Sequence, residues 1–192
     1  MTRTTTTAIA AFLLSAGAAA AQDCSIDKDP WDLTGEEVTA VYECLEGALV
    51  AGYQNGDNPV AAVYRDWVPT ATRPGLAGPH GERFLMTFAN EIGAGTYMEY
   101  AFEGVVMPVG SILAKESFRF NDDGGLRRGP LFIMEKVAEG TADEYDNWVY
   151  SAVQPNGNAM GISQAFCHDC HVAYSDQDNL GYPLEEVRIT AE

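Results

Sequence analysis

The sequence predicts an α+β domain: helices first, then an antiparallel β-sheet that those helices flank, then a short C-terminal segment bearing cysteine and histidine. Three observations predict it. Apolar residues recur at helical spacing early in the chain. From residue 83 the period shortens to two. Cys167-His168-Asp169-Cys170-His171 then stands close to the C-terminal end.

Taken in order, residues 1–21 follow the layout of a secretory signal peptide. Arg3 supplies the positive start, Ala8 to Leu14 the apolar stretch, and Ala19-Ala20-Ala21 the small residues of a cleavage site. Cleavage after Ala21 would start the mature chain at Gln22 and leave a single domain over 22–192. The alternative, an uncleaved anchor, calls for a longer span rich in Leu and Ile, and no later segment is apolar over the ~20 residues of a bilayer crossing. Thr34-Gly35-Glu36-Glu37 has the hydroxyl-to-acid spacing of a capping box. Val38, Val41, Tyr42, Leu45 and Leu49 follow on one helical face and predict a helix over 35–53. Gln54 to Asn58 break it. Asn58-Pro59 opens a second, short helix through Val60 to Trp67, with Pro in its first turn. Residues 68–81, rich in Pro and Gly, read as a loop.

Arg83 to Ala89 alternates, with Phe84, Met86 and Phe88 on one face. Ile112 to Phe120, Leu131 to Ala138 and Trp148 to Val153 are further strands. Asn121-Asp122-Asp123-Gly124-Gly125 has hairpin chemistry, because Asp-Gly tolerates positive φ, and Pro155-Asn156-Gly157 ends the last strand. Residues 92–103 admit a short helix or an edge strand.

Charge narrows the partners. Lys and Arg number 11 against 28 Asp and Glu, a net charge of −17. Such a field argues against nucleic acid, anionic lipid and polyanionic substrates. It suits a basic redox partner such as a small cytochrome, and equally suits solubility or a salty environment.

A Cys-x-x-Cys-His run is the attachment site of a c-type haem. Cys167 and Cys170 would add across its vinyl groups as thioethers, and His171 would give iron an axial nitrogen. The same short pattern also serves zinc and redox sites. The export signal favours haem, which is attached outside the cytoplasm, so one covalent haem c is the expected cofactor. Cys24 and Cys44 remain. In an oxidising compartment they are expected to pair and staple the N-terminal segment onto the first helix; two buried free thiols are the alternative.

No methionine follows His171, the last being Met160. A sixth iron ligand must therefore come from upstream or be lacking. Met86, Met98, Met107 and Met134 read as core packing. His80, in Pro79-His80-Gly81, reads as a loop or cap histidine, and His168 sits awkwardly inside the attachment loop. An open distal face is the more economical reading, and open haem sites bind small molecules or do chemistry.

Tyr64-Arg65-Asp66-Trp67, the run Gly110 to Glu116, the run Gly129 to Lys136, Asn147-Trp148 and the Cys-x-x-Cys-His motif occur in an order that resembles the cytochrome P-460 superfamily, which includes the gas-binding cytochromes c′-beta. The resemblance covers about residues 59–175. It implies about five antiparallel strands with flanking helices, a homodimer, and a five-coordinate haem with His171 proximal. In hydroxylamine-oxidising members a strand lysine is bonded to the macrocycle, and the matching position is Lys115. By alternation Lys115 shares a face with Leu113, Ser117 and Arg119, where an ordinary exposed lysine would also sit.

Glu135 matches the distal acid of those members. Alternation with Leu131, Ile133 and Val137 points it inward, where an apolar pocket would raise its pKa and let it take protons from a nitrogen substrate. An ion pair with Lys136, Lys115 or Arg119 is the plainer alternative, and Glu116, among Ile112, Ala114 and Phe118, competes for the role. Trp148 and Tyr64 read as core aromatics. Three functions follow: a periplasmic oxidoreductase of hydroxylamine or nitric oxide with an external electron acceptor, a non-catalytic binder of NO or CO, and a plain electron carrier.

Overall fold

The structure, a computed structural model, describes residues 24–121 and 123–190; the signal peptide expected over 1–21 lies outside them. Helix α1 runs Gly35–Tyr53, as its periodicity predicts. Thr34 Oγ1 accepts from the Glu37 amide while the Glu37 carboxylate accepts from the Thr34 amide, so each satisfies an end group of the other. Helix α2 is Pro59–Val63, capped by Asn58 Oδ1 on the Val60 and Ala61 amides. It is shorter than expected, because at Val63 (φ −129°) the backbone leaves α geometry and tightens into a 3-10 turn, Tyr64–Asp66.

The region read as a loop contains two short strands, β1 (Val68–Pro69) and β2 (Gly75–Ala77), and a 3-10 turn at Gly78–His80. Strand β3 is Arg83–Ala89. The ambiguous stretch begins as a helix, α3 (Glu91–Tyr97), capped by Asn90 Oδ1 on the Gly93 amide. Strands β4 (Ile112–Phe120), β5 (Leu126–Arg128), β6 (Leu131–Lys136), β7 (Trp148–Val153) and β8 (Ala159–Met160) follow, then helix α4 (Gln164–His171). Gly124, at φ 76°, helps turn β4 into β5.

Among the described residues the sheet has eight strands, ordered β1-β3-β4-β6-β7-β8, with β2 also on β3 and β5 also on β4; every pairing is antiparallel. The count exceeds the five expected. β1, β2, β5 and β8 have two or three residues each, too few to show a period.

Alternation gives the sheet two buried faces. On one, Phe84, Met86, Phe88, Ala114, Phe118, Leu131 and Ile133 pack against Val38, Val41, Tyr42, Leu45 and Leu49 of α1. On the other, Leu113, Met134, Trp148 and Tyr150 form a second core with Tyr97 of α3 and Leu180. No helix among the described residues is long and apolar enough to cross a membrane.

Cys24 and Cys44 form the expected disulfide, at a sequence separation of 20. A loop of this length should contribute about 3 kcal/mol through the unfolded chain's lost freedom. Cys24→Ala with Cys44→Ala is expected to lower the chemical-denaturation midpoint accordingly, and an unchanged midpoint would show that the bond adds no stability.

Candidate haem-attachment site

Helix α4 is clamped to β7 by one side chain. Gln164 Oε1 accepts from the Tyr150 amide at 2.7 Å while its Nε2 donates to the Tyr150 carbonyl at 2.6 Å. Ser163 Oγ caps the helix on the Phe166 amide. Cys167 and Cys170 then fall one turn apart and both are free thiols, the first half-buried and the second exposed.

His171, 8% exposed, turns inward from the last turn of α4. Its Nδ1 lies 2.8 Å from the Asn179 carbonyl, and its ring tilts against Tyr150 at 5.4 Å. A hydrogen bond from Nδ1–H to a carbonyl fixes the tautomer and leaves the Nε2 lone pair for a metal. Burial, and then nearby Lys115, lower its pKa to about 4, against the Asn179 bond that raises it.

The carbonyl is aimed by two consecutive left-handed residues, Asp178 and Asn179. Asp178 is tied down by Lys136 Nζ (2.6 Å), the Met107 amide (2.7 Å) and Trp148 Nε1 on its carbonyl (2.9 Å), and Asn179 Nδ2 donates to Asp146 at 2.9 Å. Sequence reasoning missed this support. Its signal was an Asp-Asn pair, the residue types that tolerate left-handed backbone, shortly after the motif.

Lys115 lies on the His171 side of the sheet. It is 4% exposed, so the ordinary exposed lysine is not what the chain builds. Its Nζ is 3.3 Å from the Gly181 carbonyl, and burial lowers its pKa to about 8. Phe132 pairs with Lys115 across β4 and β6, and His80 packs on Phe132 with ring centres 5.1 Å apart. His80 also stands 6.2 Å from His171, with the ring planes at 78°. Burial first, then Lys115, lower its pKa to about 3. The histidine read as a loop or cap residue thus lies beside the motif's own histidine.

Glu135 does not join them. It is exposed, on the α1 side of β6, opposite Ile112 and Val149 in register. The inward orientation fails: the side of the strand is the one alternation predicts, but Glu135 is exposed there. Glu116 is buried on that same α1 side, where it accepts from Tyr42 Oη at 2.6 Å, Tyr64 Oη at 2.5 Å and Arg65 Nη1 at 3.1 Å. It raises the pKa of both phenols, after burial, and its role is structural. Trp148 and Tyr64 are fully buried core aromatics, as read. His168 packs on Tyr145 and lies 3.7 Å from Asp146.

Two free thiols a helical turn apart and an imidazole with one nitrogen tethered fit a covalent porphyrin. Among the described residues no group of three His, Cys, Asp or Glu side chains is placed to hold a metal ion. Tyr150 Oη and Tyr182 Oη, in or beside the second core, are buried without hydrogen-bond partners, so polar atoms remain there to be satisfied. No protein-family model matches the chain, and no curated protein matches it.

Proposed function

We propose that the chain is an exported, periplasmic mono-haem c-type protein of the cytochrome P-460 kind. It would act on a small nitrogen species, hydroxylamine or nitric oxide, and pass electrons to an external acceptor. The observation that carries the reading is the convergence on one sheet face of His171, with its tethered Nδ1, and buried Lys115, beside a helix with two free thiols.

Cys167 and Cys170 would hold haem c, and His171 would be its proximal ligand. The haem supplies a redox-active iron to which a small nitrogen molecule can bind. The chain's own residues orient and shield it. Asn179 fixes the proximal imidazole, Phe132 and Tyr150 exclude water, and Lys115 presents an amine whose lowered pKa makes it a better nucleophile for bonding to the macrocycle. Glu135, exposed on the other side, is given no part in proton transfer. The disulfide suits an oxidising compartment. The charge of −17 suits a basic redox partner. A homodimer belongs to the same proposal.

Gas binding without turnover is the second reading. It is favoured by Phe132, an apolar neighbour of His80, since binding NO or CO needs no base. Spectra of the ferrous protein with and without NO and hydroxylamine test both. If Lys115 is bonded to the ring, the ferrous absorption lies to the red of an ordinary c-type haem, and Lys115→Ala should restore the ordinary spectrum and abolish hydroxylamine oxidation. Recovery of unmodified Lys115 peptides with an ordinary spectrum would exclude the cross-link and favour gas binding.

A further inference from the structure

We propose that His80 is the second axial ligand of the haem iron in the resting protein, opposite His171, in place of the open, five-coordinate site that the resemblance implies, and that a nitrogen ligand must displace it. The inference rests on the haem attachment proposed above. Its first support is a distance. Two imidazoles held through one nitrogen each, at about 2.0 Å on opposite sides of one metal, place their ring centres roughly 6.3 Å apart. The His80 and His171 centres are 6.2 Å apart, with planes at 78°. Coordination along a common axis requires the metal to lie in both ring planes and leaves the angle between those planes free.

The second support is availability. His171 offers Nε2 because Nδ1 is held by Asn179. Among the described residues nothing hydrogen-bonds to the His80 ring, whose neighbours are the rings of Phe132 and His171. Neither ring nitrogen is therefore committed to another protein group.

The third support is the turn that delivers it. His80 ends the 3-10 turn Gly78–His80, directly after Pro79, and the next two residues, Gly81 (φ 74°) and Glu82 (φ 54°), are both left-handed. Both their amides donate to the Gly78 carbonyl, at 2.9 and 3.3 Å. A non-glycine held left-handed costs on the order of 1 kcal/mol, so the surrounding structure must impose it. β2 and β3, paired with each other, anchor both ends of this turn. His80 is therefore presented from a braced turn, and its withdrawal would uncover the iron face beside Lys115 and Phe132.

The test uses the full chain expressed with c-type haem maturation. Ferric parent protein should give the optical and paramagnetic-resonance spectra of a six-coordinate, low-spin haem with two nitrogen ligands. His80→Ala should become high-spin while keeping its haem on a denaturing gel, and added imidazole should return it to low-spin. Affinity of the ferrous protein for carbon monoxide should rise roughly tenfold or more in His80→Ala, because the competing ligand is gone. His80→Met, which keeps a coordinating side chain, should stay low-spin with an altered spectrum. A high-spin parent protein, or an identical spectrum in parent and His80→Ala, would overturn the assignment. Parent protein that carries no covalent haem overturns the attachment itself, an outcome distinct from haem bound without His80.

Discussion

Chain carrying Cys167→Ala together with Cys170→Ala is expected to lose its motif-bound haem, so that a denaturing gel stained for haem shows colour in the parent band and little or none in the variant. The thiols sit a helical turn apart on α4, neither is bonded to another cysteine, and Cys170 is open to solvent. Either single substitution leaves one thioether and should retain partial colour. His171→Ala keeps both thioethers and should retain colour, yet lose the proximal-nitrogen signature from its spectrum. If the haem is attached as proposed, the folded chain alone would orient these groups for it, so the double variant should also melt lower than the parent by the linkage of ligand to fold. Undiminished haem loading and covalent retention in the double variant would show that the motif is not the attachment site.

The largest effect on stability is expected from Arg65→Ala. Glu116 is 1% exposed and takes hydrogen bonds from two phenols and one guanidinium. Arg65 supplies the countercharge and also binds Glu46 at 3.0 Å, tying α1 to the turn after α2. Removing it leaves a buried carboxylate with neutral donors only, which costs about 3–5 kcal/mol. For a domain of this size that is a fall in Tm on the order of 10 °C. Glu116→Gln should cost less, because the amide oxygen still accepts while the charge is gone. Neither change should alter the haem spectrum, since the network lies on the α1 side of the sheet. An Arg65→Ala protein that melts with the parent would show that the Arg65 contacts add no stability.

Those two sites show what the chain discloses before it folds. Helix α1, β3, β4 and β7 begin and end where capping and periodicity place them, since each is long enough to show a repeat and ends at turn residues. The thiols and His171 stand out because the Cys-x-x-Cys-His spacing is local and is legible without the fold. The rest depends on residues far apart in sequence. Whether Lys115 faces solvent or His171 is decided by the C-terminal segment that covers that side of β4, as its contact with Gly181 shows. His80 is 91 residues from its neighbour His171, with no local pattern to pair them. Glu135 was misjudged because alternation tells which side of a strand a residue occupies and says nothing about whether a helix covers it there.

The division of the interior into two cores bears on how the chain matures. Most of the α1-side core comes from residues 38–133, and the disulfide closes its N-terminal end, whereas the other core draws on Trp148, Tyr150 and Leu180 late in the chain. Cooperative units of this kind open separately and at different free energies. Amides of α1 are therefore expected to outlast those of α4 in native-state hydrogen exchange, and equal protection of the two would show that the cores open together. A chain opened at α4 alone would present its cysteines beside a core already built. Strand β4, with Glu116 facing the finished side and Lys115 the unfinished one, is the partition between them.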